Sequence, residues 1–134
     1  MKRTHMILYW SARIIAAVIL LQTLFFKFTA ADESVEIFTR VGMEPWGRIG
    51  VGVLELIAAV LLLVNVTAWI GAAIALGLMG GAMMMHLTIL GISVQNDGGY
   101  LFFLATVVAT CSVVVLVMDK ERVLQVVRSF SKSS

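Results

Sequence analysis

Charge is scarce in this chain. Asp, Glu, Lys and Arg make up 13% of its 134 residues, about half the ~25% usual in soluble domains. The formal net charge is only +2, and it comes largely from the two ends. That is too little to give the basic face that nucleic-acid binding needs. Cysteine occurs once, as Cys111 in an apolar run. A lone cysteine forms neither an internal disulfide nor a CxxC pair, so redox chemistry would need a bound cofactor or a partner protein. Cys111 itself reads as buried and inert. Proline also occurs once, at Pro45, which fits long uninterrupted helices. There is no phosphate-cradling GxxxxGK(S/T), no GxGxxG and no zinc-ligand spacing. No large extramembrane segment is left over to house a soluble catalytic domain.

Apolar residues fill the space that charge leaves. They make up 60% of the chain, and the mean hydropathy is +1.00. One core of this size cannot bury so much apolar surface, which points to lipid as the solvent. Four apolar runs stand out, at about 6–28, 47–66, 68–92 and 100–118. Each is long enough to cross a ~30 Å hydrocarbon layer at ~1.5 Å rise per residue. Backbone in lipid must satisfy its own hydrogen bonds, so the runs are expected as helices. The alternation that marks a membrane β-barrel is absent. The first run is too long for a signal-peptide core and is interrupted by Arg13, so it reads as a retained span. The expected fold is all-α: one integral membrane domain, a four-helix bundle over residues 1–134.

Basic residues orient it. Lys2 and Arg3 precede the first run, and Lys120, Arg122, Arg128 and Lys132 follow the last. The second and third connections, near "NVTA" and "SVQNDGG", have none. With four spans both termini share a side, and the positive-inside rule makes it the cytoplasm. The first connection, "TAADESVEIFTRVGMEPW", is expected to form a short outer-face helix. Thr29 and Asp32 are its expected capping pair and Gly42 its stop. Val35, Phe38 and Val41 would rest on the bundle or membrane surface. Residues 119–134 place Val123, Val126, Val127 and Phe130 on one face, as an amphipathic helix on the cytoplasmic leaflet would; a plain helical extension fits the same pattern. Gly71 with Ala75, Gly77 with Gly81, and Gly50, Gly52 and Ala59 are expected to let helix backbones approach closely.

Four polar residues inside the spans carry the functional question: Arg13, Lys27, Glu55 and His86. A charge at mid-membrane costs on the order of 3 kcal/mol, so such residues normally face the interior and pair. Counted from the span ends, Glu55 lies ~12 Å and His86 ~8 Å from the outer surface, and Arg13 ~10 Å from the cytoplasmic one. Lys27 sits at the outer end of the first span. Arg13 is expected to reach towards Glu55 from below, and Lys27 to serve as an interfacial anchor or electrostatic support. Glu55 and His86 are the candidates for ligand binding or proton exchange; helix-to-helix hydrogen bonding is the structural alternative. Tyr100, Thr106 and Met83 are expected to line the same pocket. "MMMH" pairs soft ligands with a histidine, but consecutive methionines point in different directions, so they read as filler and no metal is expected.

The arginine early in the first span, the "FFKF" that ends it with Lys27, the amphipathic outer segment and "GVGVLELIAA" with its internal Glu55 together resemble the DoxX family. Its members are small four-span membrane proteins of bacteria and archaea. The resemblance runs from about Ile7 to Met118. It implies a multi-pass protein of the bacterial inner membrane in a respiratory or redox setting, since the family is named for a subunit linked to quinone-dependent sulfur oxidation and respiratory oxidase complexes. Some members are associated with thiol-redox partners; the lack of a cysteine pair here argues against independent thiol–disulfide exchange. The resemblance brings no catalytic residue set. The leading expectation is a membrane subunit that binds a quinone, or another lipid-soluble small molecule, for a redox partner protein. A proton-coupled carrier or permease is the second reading; it would require self-association, because the chain has no internal inverted repeat. A non-catalytic assembly subunit is the third.

Overall fold

The structure is a computed structural model that describes residues 2–93 and 98–133. Six α-helices and one π-helical turn form among the described residues, with no strand. α1 is Arg3–Phe28, α2 Asp32–Arg40, α3 Trp46–Leu63, α4 Ala68–Met85, α5 Tyr100–Met118 and α6 Lys120–Ser133. The π-helical turn His86–Leu90 extends α4. α1, α3, α4 with its π turn, and α5 are each long and apolar enough to cross a membrane. They follow the four expected runs, with two differences. α3 stops at Leu63, three residues early, because 64–67 are needed to turn the chain. The end of the third run widens from α to π at His86. Val94 to Asp97 of the "SVQNDGG" connection, and the last residue of the tail, lie outside the described residues.

α1 packs on α3 and α5, and α4 packs on the same two. The four spans therefore form a ring with α1 across from α4. The side chains between them are mostly small. Ala12, Ala16 and Ala17 of α1 meet Ala58 and Ala59 of α3, Ala68, Ala72 and Ala75 of α4, and Ala105 and Ala109 of α5. The large apolar side chains face outward instead: Ile7, Val18, Phe25, Val60, Phe103 and Val117 are all exposed. A water-soluble bundle buries its large residues. Here the surroundings are as apolar as the core, so close backbone packing is what gains energy. Gly71 is the tightest approach to backbone, where a Cβ would lie 2.7 Å from Ala58 O and from Leu62 N. Gly77 and Gly81, expected at a similar contact, instead face open space.

α2 closes one end of the ring. Asp32 and Glu33 open it and Arg40 ends it, charges that match the helix dipole. Gly42, at φ +77°, stops it, as expected. The Thr29–Asp32 cap does not form. Thr29 donates back to Phe25 O at 2.8 Å, and Ala31 occupies the capping position. Threonine at a helix end has that backbone acceptor one turn behind it, and takes it. Phe38 is buried against the bundle, while Val35 and Val41 are half-buried.

The opposite end, which carries both termini, is tied by polar contacts. Tyr9 Oη donates to Asp119 at 2.6 Å. Arg13 donates from Nε to Leu62 O at 2.6 Å and from Nη1 to Asn65 Oδ1 at 2.9 Å. Its guanidinium stacks 3.9 Å from the centre of the Trp10 ring. Arg122 of α6 donates to Asn65 O. Beyond that tie, Leu124, Val127 and Phe130 of α6 are exposed, with Lys120, Arg128 and Lys132 among them.

Arg13 therefore does not reach Glu55, and the expected pair is corrected. Side chains on a helix lean towards its N-terminus. From α1 that direction carries Arg13 away from Glu55. It meets the last turn of α3, whose carbonyls have no partner within the helix. Replacing Arg13 with leucine is expected to lower thermal stability by about 1–3 kcal/mol, the usual cost of losing hydrogen bonds to a charged group. Unfolding of the purified protein in detergent checks this, and ligand affinity at the far end should not change.

Candidate functional site

The same leaning rule brings Lys27 to Glu55. Lys27 lies in the last turn of α1, so its side chain points back into the membrane and not out to the surface. Its ammonium sits 2.7 Å from Glu55 Oε1. The contact is an ion pair without hydrogen-bond alignment. Thr23, one turn below Lys27, donates to Glu55 Oε2. Glu55 is fully buried, and Lys27 retains 16% side-chain exposure. A lone carboxylate would be costly here; a paired, hydrogen-bonded one is tolerated.

Arg48 supports the pair from the side. It donates from Nε to Glu44 at 2.9 and 3.0 Å and from Nη1 to the carbonyl of Lys27. That carbonyl ends α1 and otherwise accepts from Ala30 N–H just past the helix, at 3.3 Å. Arg48 thus fixes the backbone from which Lys27 projects.

Glu55, Lys27 and Thr23 border a cavity of about 470 Å³ between the four spans, beneath α2. Glu55, Lys27, Thr23, Gln22, His86 and Tyr100 supply polar edges. Leucine, isoleucine, phenylalanine, methionine and alanine side chains supply most of the rest, and Gly77 and Gly81 open the α4 wall. Small residues on α4 thus make room for a cavity instead of a helix contact. α2 forms the roof through Ala31, Glu33, Ser34, Ile37 and Phe38. Arg40 ties that roof to the π turn by donating to Ile89 O at 3.0 Å.

His86 begins the π turn. Its Nδ1 lies 2.9 Å from Gly91 O, and its ring meets Phe102 edge-on, with centroids 5.8 Å apart. π turns set into α-helices often mark functional sites because they re-aim a side chain. The structure thus brings Glu55, Lys27, His86 and Tyr100 to one cavity. It leaves Arg13 at the far end. Thr106 and Met83 do not line the cavity: Thr106 is exposed and donates back to Phe102 O at 3.0 Å, with Met83 Sδ 3.7 Å away. Each sits one residue, about 100° of helix rotation, past a lining residue, Ala105 or Ala82, which turns it into the α4–α5 seam. Thr23, Gln22 and Arg48 were missed. Thr23 is four residues before Lys27, and Glu44 four before Arg48, so helical spacing signalled the shared face of the first two and the pairing of the second. Among the described residues, no three His, Cys, Asp or Glu side chains are grouped to hold a metal ion.

A ring of four apolar helices around a polar-edged cavity defines a small multi-pass membrane protein. The model of the DoxX-like family matches residues 11–115, and the chain belongs to that family. The match takes in all four spans, Glu55, Lys27 and His86. No curated protein and no solved structure matches the chain.

Proposed function

We propose that the protein is a membrane subunit of a quinone-linked redox or respiratory system, and that its cavity binds a quinone or similar lipid-soluble ring compound. The cavity carries the proposal. Its volume of about 470 Å³ falls within the ~300–1,000 Å³ of small-molecule sites. Mostly apolar walls with a few convergent polar groups suit a molecule with a polar head and an oily body. Glu55 and His86 would hold that head, with Lys27 fixing the carboxylate. A redox partner protein would supply or remove electrons.

A short-tailed benzoquinone is expected to bind the purified protein. Glu55→Gln should weaken binding of the matching hydroquinone, whose hydroxyl can donate to the carboxylate, about tenfold, the scale of one charged hydrogen bond. Calorimetric titration measures both. Unchanged affinity in the variant would remove Glu55 from the site.

We propose further that both termini face the cytoplasm of a bacterial cell and that α2 lies on the outer face of its inner membrane, as the basic tail and the uncharged turn between α3 and α4 support. Single cysteines at Thr39 and Ser129, each in a Cys111→Ser background, report on this. A membrane-impermeant maleimide should label the first in intact spheroplasts and the second only after lysis.

A further inference from the structure

The cavity's deep polar groups are unequal in what they can offer a ligand. The contact between His86 and Gly91 decides one of them. A carbonyl oxygen only accepts hydrogen bonds, so the nitrogen 2.9 Å from Gly91 O must be the one that carries hydrogen. Nδ1 is thereby committed as a donor to the backbone. His86 borders the cavity, so Nε2 is the nitrogen left for a ligand there, and in the neutral ring it is a bare lone pair.

Glu55 adds a second acceptor. An ionised carboxylate has no hydrogen to give. Its two oxygens already face the Thr23 hydroxyl and the Lys27 ammonium. Lys27 keeps N–H bonds beyond the one turned to Glu55, but a hydroxyl oxygen accepts from them as a carbonyl does, so Lys27 does not discriminate either. Tyr100 and Gln22 also border the cavity; each can donate or accept, so neither discriminates.

We infer that the site selects a ligand head bearing a hydroxyl hydrogen, with the hydroxyl donating to Nε2 of His86. The preferred ligand is then the phenolic, reduced form of a lipid-soluble ring compound, not its carbonyl form. This rests on the cavity reading proposed above. A carbonyl head would set its lone pairs against that of Nε2 and leave a buried polar group unmatched. Sites built around one hydrogen bond discriminate strongly against analogues that cannot make it.

Three probes separate the terms: a short-tailed benzoquinone, its hydroquinone kept reduced under anaerobic conditions, and the dimethyl ether of that hydroquinone. The ether keeps the reduced ring and removes the donor hydrogens. Binding of each to the purified full-length protein is measured by calorimetry. The hydroquinone is expected to bind about tenfold or more tightly than the other two, the scale of one hydrogen bond. His86→Phe, which keeps a flat ring and removes the nitrogen, should cut the hydroquinone's advantage about tenfold, the scale of one hydrogen bond.

Equal binding of all three probes by the wild type overturns this inference and leaves the cavity reading standing. A preference for the quinone does the same, because Nε2 must then be a donor. Binding of none overturns both. A hydroquinone preference undiminished in His86→Phe assigns the acceptor elsewhere and overturns the role given to His86. If that variant does not fold, the comparison of hydroquinone with its ether in the wild type still decides the hydroxyl requirement.

Discussion

Replacing Lys27 with methionine is expected to destabilise the bundle by about 3–5 kcal/mol, the cost of breaking a buried ion pair by removing one partner. Glu55 is fully buried, so loss of the ammonium leaves its carboxylate with only Thr23 inside a lipid-embedded core. Glu55→Gln should cost much less. The amide oxygen still accepts from Thr23, and Lys27, in the last turn of α1, can swing its stem outward to the interface. The double variant Lys27→Met with Glu55→Leu should recover most of the lost stability, since apolar replacements of similar size often match a buried ion pair. Thermal unfolding in detergent, followed by circular dichroism, gives all three values. If Lys27→Met proves no less stable than Glu55→Gln, the ion pair does not hold the carboxylate in place. The double variant also separates structure from function, because it should fold and yet bind the hydroquinone weakly.

Gly71→Leu is expected to be the most damaging glycine replacement. A Cβ there meets backbone atoms of α3 at 2.7 Å, and backbone cannot turn aside as a flexible side chain can. α3 and α4 must move apart, at a cost of at least ~1–3 kcal/mol, and every small-residue contact along that seam loosens with them. Loss of a monodisperse folded species on size exclusion is the expected readout. Gly77→Leu makes the contrasting case. Its Cβ meets nothing within 4 Å, and the residue borders the cavity. This variant should fold with near-normal stability while its side chain fills the cavity and excludes the benzoquinone. Equal damage from both replacements would mean that the α4 wall is packed at Gly77 as it is at Gly71.

Much of the architecture was legible without coordinates. Length and unbroken hydropathy set the four spans, because lipid leaves helix as the only conformation that satisfies a spanning backbone. Gly42 marked the end of α2 because a positive φ suits glycine there. Residue depth was also readable from helical rise, and it placed Glu55, His86 and Lys27 in the same half of the bundle. Partner choice was harder. Arg13 and Lys27 are fourteen residues apart and project from a similar face, so facing alone made both plausible partners for Glu55. The direction in which side chains lean along α1 separates them. Thr106 and Met83 show the same limit in rotation: one residue of offset moved each from the cavity into a helix seam.

The sequence alone determined that this chain spans a membrane four times and holds a carboxylate within it, because hydropathy over some twenty residues and the cost of buried charge act locally. Only the tertiary structure decided which cation meets that carboxylate, and that Gly77 and Gly81 border a cavity while Gly71 is pressed against a helix. Those outcomes depend on the rotation and separation of whole helices. The small-residue patterns on α4 look alike from either position, and the ring of neighbours sets which one closes and which one stays open.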